Sequence, residues 1–443
     1  MSGSTTQTAN VPDTVIGPFD ELLFARLMEG GEPANLLAER EIAFRAYQAL
    51  PSPTSFDEGW RRTPPDRFPF QDIVPLPRLA PNGATGSGPW DNEFDVVVSV
   101  NDATYHVADR SGVLRDKRIF VMPLEEAASV FPGLVHDHVL GRALPPDRDK
   151  FVALNGAFWN FGLLVHIPPG VTLEKGILIR YAHQQPGAAL IPLLAVVAGE
   201  GSEATIVETA TSPDGVPFMT VSSKEFYVGD AARLRVISLQ EWGRDTDQLG
   251  HDMAHVGRDA QVDWITLNFG SRTSKLVFGS DILGEGASAE LDGLFFCDAD
   301  QHIDQQTLQI HSAPNTYSRL LYKGAVQDQG HSVYQGIIQA RPGAVKVDAY
   351  QTNNNLVLND GAKADTIPGL LIDADDLKCS HGATIGNLND DQVFYLRSRG
   401  LDESEARRIL IRAFFDEVSA RIPYDGIRER VHAIIDARLA AAK

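Results

Sequence analysis

The N-terminal region carries an apolar pattern of helical spacing. From Pro18 to Leu50, apolar residues recur every three or four positions, as in a helix with one buried face. They are Leu22, Leu23, Leu27, Leu36, Leu37, Ile42, Ala43 and Tyr47. Pro51 and Pro53 end this pattern, and a stretch rich in proline and glycine follows. We therefore predict an N-terminal helical region and linker over residues 1–92.

The middle of the chain, residues 93–386, consists instead of short strand-like runs. Val96–Val100 and Ile177–Tyr181 are examples, rich in β-branched and aliphatic residues and bounded by turn-forming residues. Helical periodicity is scarce here, and Pro123–Val130 is the exception. The pattern predicts a mainly β core.

These strands repeat at a nearly constant interval. Six apolar anchors are separated by 28, 28, 29, 29 and 27 residues, namely Ile206, Leu234, Val262, Leu291, Leu320 and Val347. A period of this length carried by strands is typical of a solenoid, in which a coil buries its apolar face only by stacking on its neighbours. We predict a right-handed parallel β-helix over residues 93–386. A β-sandwich with evenly spaced turns is the alternative.

The tail returns to helical spacing. Asn389 with Gln392 resembles a capping box, Gly400 suits a helix end, and Asp402 with Glu405 opens a second helix. The apolar stripes of the second and third helices are Ala406, Ile409, Leu410, Ala413, Phe414 and Val418, then Ile427, Val431, Ile434, Ile435 and Leu439. We predict a C-terminal helical domain over residues 387–443. It serves either to dock a partner or to cap the end of the solenoid.

Charge and composition narrow the classes of function. The formal net charge of −20 argues against a nucleic-acid partner, because phosphate binding needs clustered Lys and Arg. No run of eighteen apolar residues occurs, and Met1–Asn10 lacks the basic start and apolar centre of a signal peptide. We expect a cytoplasmic protein. With only Cys297 and Cys379, this chain alone builds neither a disulfide framework nor a Cys₄ metal site. Cys297 lies in an apolar run and is predicted to be core.

Two glycine motifs match a loose dinucleotide fingerprint. Gly199–Ala204 and Gly284–Ala289 have the spacing, but that fingerprint needs a following helix, and strand-like residues follow both. We interpret them as solenoid turns. No Gly-Lys pair occurs, which excludes a P-loop.

Histidine pairs and a carboxylate cluster are weaker candidates. His136 with His138, and His251 with His255, have spacings that two metal ligands can share, but such pairs are more often structural. The densest carboxylate group is Asp373, Asp375 and Asp376. Because glycosidases work with paired carboxylates, a parallel β-helix carbohydrate-active enzyme is the alternative function.

Cys379 and His381 form the most informative pair. If Lys378–Thr384 is a strand, side chains two residues apart emerge on the same face. Thiolate and imidazole are suitable ligands for iron or for an iron–sulfur cluster. The adjacent Lys378 would favour the thiolate, although its side chain points the other way. Two ligands do not complete a site, so a partner chain would supply the others. The alternative is that the pair only packs.

Several segments together resemble a known family. They are Glu58–Arg61, Ile167–Glu174, Gln301–Thr307, Lys323–Val326, Asp348–Leu358, Asp375–Gly386 and Tyr395–Gly400. These segments resemble the SufB/SufD scaffold family of iron–sulfur cluster assembly, most strongly from residue 290 to 420. The SufD type is the better match. Asn353 stands where SufB has a sulfur-receiving cysteine, and the string Lys378–Thr384 is typical of SufD.

This resemblance implies a non-catalytic scaffold. It implies a parallel β-helix that pairs with the β-helix of SufB, and C-terminal helices that bind the SufC ATPase, which would supply the ATPase activity. A transient iron–sulfur cluster would be shared with SufB and passed to acceptor proteins. His381 would be the direct ligand, with a lesser role for Cys379. Reduced flavin is associated with such complexes, but this sequence neither supports nor excludes a flavin site. Without SufB, the exposed solenoid face suggests a homodimer.

Overall fold

The computed structural model of this chain describes residues 16–82, 88–139 and 141–441. The start of the chain, Met1–Asn10, and residues 83–87 of the predicted linker lie outside the described residues. The described part is mainly β, with a β-solenoid of about eight turns and helices at both termini. The predicted fold class is therefore confirmed.

Helices occupy the two ends of the chain and one internal segment. They are α1 (Glu21–Met28), α2 (Ala34–Ala49), α3 (Val113–Asp116), α4 (Leu124–Val130), α5 (Pro132–His138), α6 (Lys150–Phe158), α7 (Asp390–Ser398), α8 (Glu403–Ser419) and α9 (Asp425–Ala441). The predicted capping box of α8 is present, with Asp402 and Glu405 satisfying each other's backbone N–H groups. Gly400 follows α7 with φ of +98°, a left-handed conformation that suits glycine at a helix end.

The strands are short and follow one another through tight turns. They are β1 (Val74–Pro75), β2 (Ala80–Pro81), β3 (Val96–Asn101), β4 (Thr104–Asp109), β5 (Phe120–Pro123), β6 (Phe161–Ile167), β7 (Ile177–Ala182), β8 (Ala188–Leu190), β9 (Pro192–Ala198), β10 (Glu203–Thr211), β11 (Phe218–Val228), β12 (Arg233–Glu241), β13 (Thr246–Val256), β14 (Gln261–Asn268), β15 (Thr273–Ile282), β16 (Ser288–Cys297), β17 (His302–His311), β18 (Tyr317–Val326), β19 (His331–Ala340), β20 (Asp348–Val357), β21 (Lys363–Ile372) and β22 (Lys378–Gly386).

These strands form two sheets, each with eleven strands within the described ranges. Sheet A runs in the order β21-β19-β17-β15-β13-β11-β9-β6-β5, with β8 beside β11 and β1 beside β8. Sheet B runs in the order β2-β4-β3-β7-β10-β12-β14-β16-β18-β20-β22. From β9 to β22 the chain alternates between the sheets, and neighbours within each sheet are parallel. Each coil thus adds one strand to each sheet, which rules out the β-sandwich alternative.

The predicted anchors are correct in part. Leu234 pairs with Val262, and Leu291 pairs with Leu320, as expected for successive coils. Ile206, however, pairs with Val236 rather than Leu234, and Val262 pairs with Ala289 rather than Leu291. Val347 lies just before β20, so the last anchor is also wrong. Side chains alternate with a period of two, and a shift of two residues keeps an apolar side chain on the same face. The pattern alone therefore leaves this register undecided.

Three apolar clusters account for most of the buried core. One fills the interior between the sheets, one joins the N-terminal helices and α6 to the outer face of sheet A, and one joins α8 and α9 to the outer face of sheet B. Helices cover the outer face of sheet A, so both faces of its strands are buried. This explains why successive residues of these strands are apolar, and not only every second residue.

The internal helices other than α4 were missed by the sequence prediction. The clearest case is α6, in which every residue except Gly156 is buried. A helix that is buried all round has no polar face, so it lacks the periodic stripe by which helices are recognised. Its N-cap Asp149 accepts a hydrogen bond from the Phe151 N–H.

Candidate functional site

The last coil of the solenoid ends in two free strand edges. Among the described strands, β21 pairs only with β19, and β22 pairs only with β20. One side of each strand therefore presents backbone groups that no described strand pairs with. We call these two edges, with the inward-facing residues of β21 and β22, the open end.

Cys379 and His381 lie on the inward face of β22. In the sheet register Cys379 pairs with Ala349, and His381 pairs with Gln351. Both partners are buried inside the solenoid, at 2% and 1% exposure. Residues paired in register on parallel strands point to the same side, so the thiol and the imidazole share one face, as their spacing predicted. His381 is exposed and Cys379 is half-buried, because no further described coil covers them.

The open end also exposes apolar side chains. Leu370, Ile372 and Ile385 occupy inward-facing register positions and are 38%, 40% and 48% exposed. In a complete coil these positions are core. Free strand edges together with exposed apolar side chains are typical of an interaction surface.

The thiol of Cys379 lies against a small apolar cluster. Ile338, Val347 and Ala349 belong to that cluster. Burial, and secondly the negative charge of Asp348, raise the pKa of the Cys379 thiol. Lys378 does not offset the effect of burial on this thiol. Lys378 is one residue away on the strand and its side chain points to the opposite face, whereas burial acts on the thiol directly.

A polar layer lies one coil below the open end. Thr366 Oγ1 and Asn355 Nδ2 donate hydrogen bonds to Asn353 Oδ1 at 2.8 and 2.7 Å. Gln351, Asn353 and Asn355 are all 3% exposed or less. The Gln351 amide interacts with the Tyr334 hydroxyl, but its Oε1 has no hydrogen-bond partner among the described residues. The alternation of polar residues at 351, 353 and 355 was visible in the sequence, but this layer was not predicted from it.

The carboxylate cluster is placed differently from a glycosidase site. Asp373, Asp375 and Asp376 are all exposed on the loop between β21 and β22. A glycosidase holds two carboxyl groups on opposite sides of the scissile bond in a cleft. An exposed loop does not provide that arrangement, so the geometry does not favour the carbohydrate-active alternative.

The histidine pairs have structural environments. His251 lies on β13 next to Asp149 at 3.4 Å, and His138 on α5 lies 5.3 Å from the Tyr227 ring. Within residues 16–82, 88–139 and 141–441, no three His, Cys, Asp or Glu side chains come together as a metal site. His381 and Cys379 are included in this statement, so the described chain does not complete a ligand set around them.

Two other sequence predictions are confirmed. Cys297 is fully buried, its thiol donates to the Gln301 carbonyl at 3.3 Å, and burial raises its pKa to about 12, as expected for a core residue. The two glycine motifs form turns that lead into β10 and β16, so strands and not helices follow them.

The interior of the middle coils contains a buried ion cluster that sequence reasoning missed. Lys224 Nζ lies 2.7 Å from Glu208 and 3.4 Å from Asp252, and these residues line an internal cavity. Burial raises the pKa of Asp252 to about 6, even though Lys224 opposes the shift. The three residues lie on different strands, and only the register of the coils brings them together.

The C-terminal helices pack on the outer face of sheet B rather than across the open end. Arg421 pairs with Asp292 at 2.6 Å, and Arg438 pairs with Asp298 at 2.6 Å. The helices also present exposed apolar side chains away from the solenoid, with Phe394 at 73%, Tyr395 at 56% and Ile409 at 42% exposure. The alternative that these helices cap the solenoid end is therefore wrong.

Comparison with known families agrees with this geometry. The profile described as SUF system FeS cluster assembly, SufBD core domain, matches residues 181–414, which is more than half of the chain. The profile of the SufBD protein N-terminal region matches residues 92–179. The chain belongs to the SufBD family of iron–sulfur cluster assembly proteins.

Individual relatives support the same assignment. The chain is 39% identical over 308 residues to an iron–sulfur cluster assembly SufBD family protein of Mycobacterium tuberculosis, covering 67% of this chain and 75% of that protein. It is 32% identical to the iron–sulfur cluster assembly protein SufD of Escherichia coli over 62% of this chain and 63% of that protein. It is 26% identical to SufD of Bacillus subtilis over 79% and 80%. A SufD-type assignment is consistent with these relatives.

Among the described helices, none is long and apolar enough to span a membrane.

Proposed function

We propose that this chain is a SufD-type scaffold subunit of a cytoplasmic SufB–SufC–SufD complex that assembles iron–sulfur clusters and transfers them to acceptor proteins. Three units serve this role: an N-terminal region over residues 1–92, a solenoid core over 93–386 and a C-terminal helical domain over 387–443. The chain itself is non-catalytic, and ATP hydrolysis occurs in SufC.

The open end carries this proposal. Within the described coils it presents free strand edges, exposed apolar side chains at inward-facing positions, and the inward-facing pair Cys379 and His381. A second solenoid that stacks on these edges would bury the apolar surface and pair the backbone groups. SufB is the proposed occupant, and a second copy of this chain takes its place when SufB is absent.

The cluster is cargo rather than a resident cofactor. His381 is the proposed direct ligand, because its neutral imidazole binds iron without losing a proton. Cys379 is secondary, because the raised pKa of its thiol disfavours the thiolate that binds metal. SufB would supply the remaining ligands. Ligands divided between two subunits let a movement of the interface weaken the site and release the cluster.

The C-terminal helices are the proposed SufC docking site. Phe394, Tyr395 and Ile409 are exposed apolar residues on α7 and α8. Ion pairs of Arg421, just after α8, and of Arg438 on α9 hold these helices to the solenoid. A conformational change in SufC on ATP binding would thus be transmitted to the solenoid and to its open end.

Anaerobic co-purification tests the proposal. The full chain is expressed with SufB and SufC, the complex is isolated, and its iron–sulfur absorbance is measured. We expect a stable complex whose absorbance is lost or strongly reduced in His381→Ala. His136→Ala is the control, because His136 is also exposed but lies on α5.

Two results would contradict the proposal. One is a chain that co-purifies with neither partner. The other is a normal cluster yield in His381→Ala, which would remove the ligand role of His381 while leaving the scaffold role in place.

A further inference from the structure

Gln351 lies directly beneath His381 in the stack of coils. It is on the inward face of β20, it is 1% exposed, and its Cα pairs in register with that of His381. Neighbouring strands lie about 4.8 Å apart, so stacked side chains on one face are within reach of each other. The residue on the other side of His381 would belong to a partner, since β22 is an edge strand.

The amide of Gln351 is buried, and its carbonyl oxygen is unsatisfied. The amide nitrogen interacts with the Tyr334 hydroxyl, whereas Oε1 has no hydrogen-bond partner among the described residues. Such groups are uncommon, because a buried amide oxygen without a partner loses the hydrogen bonds it made with water. The His381 imidazole is the polar group next in the same column.

The direction of the amide follows from the opposite sheet. Nε2 lies over Gly336 and beside the hydroxyl of Tyr334, and a Cβ at residue 336 would overlap it. The Tyr334 hydroxyl is itself hydrogen-bonded to Thr307 Oγ1 at 2.8 Å. Gly336 therefore makes room for the amide nitrogen on the side of sheet A. The carbonyl oxygen is the amide atom left to serve as an acceptor for His381.

We propose that Gln351 is a positioning residue for His381. Its Oε1 accepts a hydrogen bond from one ring N–H, and this fixes the tautomer in which the other ring nitrogen carries a lone pair for iron. Histidines that bind metals ordinarily use their second nitrogen in this way, and the partner orients the ring. The inference rests on the proposed function only for its consequence. In the structure Oε1 is without a partner among the described residues, so the exposed His381 ring must turn toward Gln351 to make this hydrogen bond.

The test is the tautomer of His381 in the free full-length chain, read from ¹⁵N chemical shifts and two-bond couplings of the ring. His381→Ala assigns the signal. We expect one dominant tautomer in the native chain. Gln351→Met keeps the length of the side chain but removes the acceptor, and should change the tautomer ratio by roughly threefold to tenfold, the effect of one net hydrogen bond. Gln351→Glu retains an acceptor oxygen and should restore the single tautomer.

Gln305→Met is the matched control. Gln305 is also inward-facing, 1% exposed and without a partner for its Oε1 among the described residues, but it lies on β17 and away from the His381 column. It should leave the His381 signal unchanged. If Gln351→Met does not fold, as judged by circular dichroism, Gln351→Leu replaces it.

The outcomes separate the inference from the proposed function. An unchanged tautomer ratio in folded Gln351→Met overturns the positioning role, whatever the cluster yield is. A changed ratio together with a normal cluster yield in His381→Ala keeps the positioning role and rejects the ligand role. A changed ratio, a lowered yield in Gln351→Met and unchanged SufB binding support both.

Discussion

The two ends of the solenoid are finished in opposite ways. At the N-terminal end, β4 runs antiparallel to β3, and β5 runs antiparallel to β6. The interior there is filled by Leu76, Leu79 and Ile119, all under 7% exposed. Phe161 on β6 packs against Tyr105 with ring centroids 5.4 Å apart. At the C-terminal end, the same kind of inward-facing position holds side chains that are 38–48% exposed.

This difference shows that the chain covers one end of its own solenoid and leaves the other end uncovered. A solenoid needs a cap at each end, because the terminal coil otherwise leaves apolar surface and strand edges in water. The N-terminal end is capped by the chain's own residues. At the C-terminal end apolar side chains remain exposed, so a partner that buries them would stabilise this end. Cys379 and His381 lie at the same end. An uncapped end is therefore a reason to expect a partner at that place rather than elsewhere on the surface.

Truncating one inward-facing apolar side chain at each end should give the largest difference between the two ends. Phe161→Ala, at the closed end, should lower the free energy of unfolding by about 3–5 kcal/mol, because it leaves a cavity in a packed core. Ile385→Ala, at the open end, should lower it by about 0.5 kcal/mol or less, because the side chain is already half exposed. Urea denaturation followed by circular dichroism measures both. Equal losses would show that the open end is packed as tightly as the closed one.

Charges placed at the open end should act on association and not on folding. Leu370→Asp with Ile385→Asp should weaken SufB binding by about 2 kcal/mol, or roughly 30-fold, because buried apolar anchors dominate interfaces. Titration calorimetry measures the affinity. Leu22→Asp is the matched control, since Leu22 is 61% exposed on α1, at a different surface. If the control weakens binding as much, the interface lies elsewhere.

The smallest expected effect concerns the reactivity of the two cysteines. Because its pKa is raised, Cys379 should alkylate slowly at neutral pH and faster as pH rises, about tenfold per pH unit below its pKa. Cys297, fully buried and with a pKa of about 12, should stay unmodified in the folded chain. Asp348→Asn removes a negative charge near Cys379 and should accelerate its alkylation at pH 8, whereas Asp360→Asn should not. Mass spectrometry of iodoacetamide-treated protein reads each site, and bound SufB should protect Cys379.

Repeating patterns in the sequence alone predicted a good part of this structure. The helical regions at the chain ends and the shared face of Cys379 and His381 follow from periodicities of 3.6 and 2 residues, which are properties of the backbone. The solenoid class follows from the longer repeat of the six apolar anchors. The family resemblance was also readable, because it is carried by contiguous segments such as Asp375–Gly386.

Only the tertiary structure decided which coil residues meet. Registers that differ by two residues give the same sequence pattern. The three-dimensional structure was therefore needed to show that Ile206 pairs with Val236 and that Gln351 pairs with His381. It was also needed to show the cluster of Lys224, Glu208 and Asp252. Helix α6 was not predicted because a helix buried on all sides is apolar throughout and lacks the periodic alternation of apolar and polar residues. The open end exists because no described strand pairs with the outer edges of β21 and β22. The sequence pattern of these two strands does not show whether another strand covers them.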